Sequence, residues 1–200
     1  MTLSLKRVAA AATLLLATSG AALAHPGHGD ATGFTHGFLH PVGGLDHVLA
    51  MVAVGLFAAR LGGRALLSVP ATFVAVMAIG GAFGMAGMAV PLVETGIALS
   101  VVVLGLAVAL RISVPVLAAM ALVGFFALFH GHAHGAEMPP NASGLGYAAG
   151  FMLATALLHG TGIALGVAVT KLGELAGRRA VQVAGGAMAL VGVVILVAAH

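Results

Sequence analysis

The stretch Phe129-His130-Gly131-His132-Ala133-His134-Gly135-Ala136-Glu137 places three imidazoles and a carboxylate within nine residues, at the end of an apolar run. A second cluster, His40-Pro41-Val42-Gly43-Gly44-Leu45-Asp46-His47, opens another apolar run and again sets histidine beside an acid. Imidazole suits late first-row transition ions, and carboxylate adds charge neutralisation. The chain has no cysteine, which disfavours Cu(I) and removes disulfides, thiolate sites and cysteine-held iron–sulfur clusters. Ionisable side chains are costly in lipid, so two such clusters in apolar surroundings predict a divalent metal site within a membrane protein. Ligand type does not select among Ni²⁺, Co²⁺ and Zn²⁺, because affinity order alone favours Cu²⁺ and geometry does the sorting.

Spacing says how these groups could meet. His130 and His134 are four apart and share a helical face, with Glu137 three further on, a pattern suited to bidentate metal binding. In a continuous helix His40 and His47 would share a face yet stand ~10 Å apart along the axis, too far for one ion. Pro41, Gly43 and Gly44 lie between them and could bend the segment, bringing the rings together and freeing backbone carbonyls. Asp46 and Glu94 fall within the membrane by residue count, where an unpaired carboxylate costs several kcal/mol. Each acid is therefore a metal ligand or one half of a metal-free acid–histidine hydrogen bond. His159, mid-span, is a deep ligand, a proton relay or a helix-bonding residue. His132, His28 and His200 read as interfacial.

The elements that must position these residues are membrane helices. Hydrophobic residues make up 61% of the chain and charged residues 6%, with a mean hydropathy of +1.17. Lys6 and Arg7 precede the apolar run from Val8 to Ala17, and Ala22-Leu23-Ala24 has the form of a cleavage site, so residues 1–24 read as a removed signal peptide. Residues 25–39 then form an exported segment in which His25, His28 and His36 could capture metal, and 40–200 form the transmembrane domain. Six spans are expected, at about 40–60, 65–88, 91–110, 112–131, 144–170 and 180–199, the third of marginal length. Beyond the signal, every Lys or Arg lies between spans one and two (Arg60, Arg64), three and four (Arg111), or five and six (Lys171, Arg178, Arg179). The positive-inside rule puts these loops in the cytoplasm and both mature termini outside. The fold class is thus an all-α membrane protein, a six-transmembrane-helix bundle behind a cleaved signal peptide.

His40-x5-Asp46-His47 in the first mature span and Phe129-His130-Gly131-x-Ala133-His134-Gly135-x-Glu137 at the end of the fourth resemble the two signature motifs of the HupE/UreJ nickel/cobalt permeases. The resemblance covers the whole chain, including the signal and the six-span layout. It implies that His40, Asp46, His47, His130, His134 and Glu137 serve metal recognition or passage, and that Glu94 is similar to an acid that family members carry in their third span. It further implies uptake of Ni²⁺ or Co²⁺ as transported substrate for maturation of a metalloenzyme such as hydrogenase or urease, with no enzymatic activity and no organic cofactor. The expected location is the bacterial inner membrane, as a multi-pass protein. The partners are the metal ion and the lipid bilayer, with room for a homo-oligomer and no nucleic acid. No P-loop is present, so transport would be facilitated or driven by the membrane potential. The rival classes are an intramembrane haem or metal-dependent redox enzyme and a passive metal-binding membrane protein.

Overall fold

A computed structural model of the chain describes residues 29–198, all of them in helices and the turns that join them. Residues 1–24, read above as a signal peptide, lie outside the described residues, as do His25, His28 and His200. Seven α-helices follow in order: α1 (Gly29–Gly43), α2 (Leu45–Leu61), α3 (Ala65–Met85), α4 (Val93–Ala109), α5 (Val116–Ala136), α6 (Gly144–Ala168) and α7 (Glu174–Ala198), with a 3-10 turn, Val169–Leu172, between the last two.

Among the described residues four segments are long and apolar enough to cross a membrane: α3, α5, α6 with its 3-10 turn, and α7. The pair α1 and α2 makes a fifth if its two halves, bent by 80°, are one broken span. α4 is apolar but has 17 residues, short of the ~20 that a bilayer core requires.

The boundaries depart from the sequence expectation in three informative ways. The first span is not a continuous helix over 40–60. Gly44 interrupts it, just after Pro41 and Gly43 in the last turn of α1, and helix continues upstream to Gly29, through much of the segment read as an exported lead-in. The fourth runs to Ala136 rather than 131, which carries His134 onto the same helix as His130. The sixth starts at Glu174, not 180, because polar side chains do not stop a helix whose turns are otherwise satisfied. Gly173, at φ 88, is the residue that breaks the chain there.

α2 is the centre of the bundle. Every residue from Ala50 to Ala58 is buried, as expected of a helix that is apolar all round and enclosed by neighbours. α1 and α2 both pack on α6, α3 pairs with α5, and α4 pairs with α7. Two of these contacts depend on glycine for close approach rather than for backbone freedom. A Cβ on Gly131 would run into the Met77 carbonyl, and one on Gly162 into the Val52 carbonyl. Phe57, Phe73, Met51, Met77 and Phe151 fill the interior, while Leu67, Leu117 and Val194 point outward. In lipid such outward apolar side chains are at no disadvantage.

Candidate metal-handling site

The break at Gly44 builds the site. Gly44 has extended geometry (φ −94, ψ 120), so α2 begins afresh at Leu45, with Asp46 and His47 in its first turn and His40 brought back from the last turn of α1. The rings of His40 and His47 have centroids 6.2 Å apart. The bend, not helical periodicity, makes them neighbours. A Cβ on Gly44 would stand 2.8 Å from Asp46 Oδ1 and 3.1 Å from His47 Nδ1, so any side chain here would push these two groups aside.

Around these rings the last turns of α5 supply two more. His47 lies 4.8 Å from the ring of His130 and 4.7 Å from that of His134, and His40 lies 4.9 Å from His134. His130 and His134 therefore engage through His47. His134 stacks on Phe151 at 5.0 Å, and Glu137, at the C-cap of α5, pairs through Oε2 with His40 Nε2 at 3.0 Å. His130 and His134 have no exposed surface, whereas the Glu137 side chain is half exposed. A cavity of about 520 Å³ opens against this group, and His36, His40, Asp46, His47, Glu94 and Glu137 all line it. Glu94, exposed in the first turn of α4, thus faces the same space as the other acids.

Hydrogen bonding fixes which ring nitrogens are available. Asp46 Oδ1 accepts from the His47 backbone N–H at 2.8 Å and lies 2.8 Å from His47 Nδ1. A carboxylate only accepts, so Nδ1 carries the proton and the lone pair is on Nε2, which has no partner. The Ser100 hydroxyl donates to the Ile97 carbonyl at 2.6 Å, so at 2.8 Å from His130 Nε2 it can only accept. His130 is then protonated on Nε2 and keeps its free lone pair on Nδ1, also without a partner. Outer hydrogen bonds that set the tautomer of an imidazole ligand are the usual second layer of a metal site. Neither nitrogen of His134 has a partner. Buried unpartnered nitrogens are costly, and a divalent ion would satisfy them.

The donors are gathered without being locked. Among the described residues no three His, Asp or Glu side chains stand in a geometry that would hold an ion together. Three of the four ring contacts are edge to face and the fourth, His47–His134, is tilted, so the side chains must rotate before they could converge on one ion.

His130 and His134 belong to the ring cluster but do not line the cavity, and two further histidines lie outside both. His159 is buried on α6 with both ring nitrogens unpartnered, and its ring faces that of Phe73 at 5.0 Å. Phe73 also lies 5.7 Å from His130, so one aromatic ring stands between the deep histidine and the cluster. His132 Nε2 bonds the Met88 carbonyl at 2.7 Å, a tether to the turn after α3. Ser100, Phe73 and Tyr147, whose ring is 6.2 Å from that of His40, were not anticipated, because single residues of these types in apolar helices carry no distinguishing pattern.

Fold and cavity together define a helical membrane protein that gathers imidazoles and carboxylates at one end of its bundle. The family profile described as HupE / UreJ protein matches residues 13–195, and the chain belongs to that family. Protein HupE of Rhizobium leguminosarum bv. viciae is 51% identical over 183 residues, covering 91% of this chain and 93% of the relative. No solved structure matches the chain.

Proposed function

We propose that the chain is a secondary permease for divalent transition-metal ions, taking up Ni²⁺ or Co²⁺ across the bacterial inner membrane for hydrogenase or urease maturation. The observation that carries this reading is the convergence of His40, Asp46, His47, His130, His134 and Glu137 on one end of the bundle, with free lone pairs on His47 Nε2 and His130 Nδ1. Family membership supports it. In this reading α4 and the broken α1–α2 pair complete six spans, Arg60, Arg64, Arg111, Lys171, Arg178 and Arg179 mark the cytoplasmic side, and the cavity opens outward beside the exported N-terminus.

The mechanism follows from the donor set. Asp46, Glu94 and Glu137 attract the cation into the cavity, and His40 and Glu137 exchange their mutual contact for the ion. His47 and His130 then present lone pairs whose direction Asp46 and Ser100 hold. Mixed nitrogen and oxygen donors that must rotate to converge bind weakly enough to release, as a permease requires. His159 beyond Phe73 is the next polar station inward. Uptake of labelled Ni²⁺ and Co²⁺ at trace concentration by cells expressing the chain is the test. Metal bound by the purified protein without uptake would make it a passive binder instead.

A further inference from the structure

A second cavity, of about 390 Å³, lies at the opposite end of the bundle, where α2, the turn after α4, the end of α6 and the start of α7 meet. Its volume is within the ~300–1,000 Å³ range of small-molecule sites. Arg60, Arg111 and Arg178 line it with a single carboxylate, Glu174, and Leu56 and Val181 contribute apolar wall. The ion pairs of the described residues are His40–Glu137 and Asp46–His47, so none of the three guanidinium groups is paired with an acid. Arg111 is half-buried and sits at φ 54, a left-handed position ordinarily given to glycine. The chain thus brings three unpaired guanidinium forks to one cavity from three separate segments.

That chemistry does not suit the cation handled at the other end. Three guanidiniums against one carboxylate leave a net charge of +2 and offer planar forks that match the oxygens of a phosphate. We propose that this cavity binds a phosphate group, carried either by an anionic phospholipid headgroup or by free phosphate. The apolar wall and the position at a helix-bundle end favour neither source by themselves, since both present the same oxygens to the same arginines.

The test uses the purified full-length protein in a neutral detergent and reads its thermal unfolding midpoint with dispersed phosphatidylglycerol, phosphatidylcholine or inorganic phosphate. An upward shift of roughly 5–11 °C is expected at a ligand concentration ~100-fold above Kd. A shift with phosphatidylglycerol alone assigns the headgroup, and an equal shift with inorganic phosphate assigns the free ion. The double variant Arg60→Gln/Arg178→Gln should lose the shift, while Arg64→Gln/Arg179→Gln, which removes the same charge outside the cavity, should keep it. Equal loss in both variants, or an equal response to phosphatidylcholine, overturns the site. Should the first variant fail to accumulate, the wild-type protein decides. Phosphorus NMR of the lipid it retains must show enrichment of phosphatidylglycerol over the source membrane, or the midpoint must rise with inorganic phosphate. Neither occurring is equally fatal to the proposal.

Discussion

The cavity at one end of this bundle is lined by three imidazoles and three carboxylates, and the cavity at the other by three guanidiniums and one carboxylate. The same elements serve both. α2 begins at the first with Asp46 and His47 and reaches the second with Arg60, 13 residues after His47 and ~20 Å along the axis. Under the proposed permease function the contrast would separate capture from release. A divalent ion would meet a concentrated set of lone pairs and negative charge at one end and no comparable cradle at the other, so departure there would require no stronger ligand.

The largest effect that could break this contrast is expected from Asp46→Asn. It keeps size but removes a charge whose attraction for each unit of cation charge at ~4 Å is ~4 kcal/mol at an effective dielectric constant of ~20. It also removes the obligate acceptor that fixes His47. Uptake of labelled Ni²⁺ should fall more than ~10-fold with membrane levels of the protein unchanged on a blot. Wild-type uptake would move the pathway elsewhere.

A smaller loss is expected from Ser100→Ala, which removes no proposed ligand but takes away the hydroxyl beside one, His130. It strips the acceptor that holds the proton on His130 Nε2, and loss of such an outer partner typically costs 10–100-fold in metal affinity. The half-saturating metal concentration should rise ~10-fold while saturated uptake changes little. Unchanged affinity would mean that the tautomer of His130 is not used.

Replacing His25 and His28 together with Ala should lower uptake at scarce metal only, since a tail that raises local ion concentration matters when supply is limiting. A fall at saturating metal, with signal cleavage verified, would put the tail in the transport route. The least effect is expected from the same acid-to-amide change made at the arginine end. Glu174→Gln should alter uptake less than ~2-fold, and a loss rivalling Asp46→Asn would erase the distinction between the two ends.

Much of the membrane architecture is legible in the residues. The apolar runs of α3, α5 and α6 and their basic boundaries mark those helices, because lipid imposes both length and composition. The meeting of His40 with His47 is legible too, since Pro41, Gly43 and Gly44 stand where a helix would have kept them apart. Helix α1 is not, because its mixture of Gly, Thr, His and Phe lacks the period of a span and is held by packing on α6. Nor are the roles of Ser100 and Phe73. Each depends on a partner thirty or more residues away, Ser100 on His130, and Phe73 on His130 and His159, and such pairings come only with the packing of α3, α4, α5 and α6. The Arg60, Arg111 and Arg178 cavity shows the same limit: three scattered basic residues mark a side of the membrane in the sequence, and only the fold makes them neighbours.

The geometry at Gly44 has a consequence for how damage to this protein would be recognised. Its backbone angles are open to any amino acid, so an alanine there would leave both flanking helices able to form, and the chain could be made, inserted and stable. The added methyl would nonetheless press on Asp46 and His47 and turn them from their present directions. A screen that scores variants by abundance would pass such a substitution as benign, although it alters no donor atom and still silences the donors beside it.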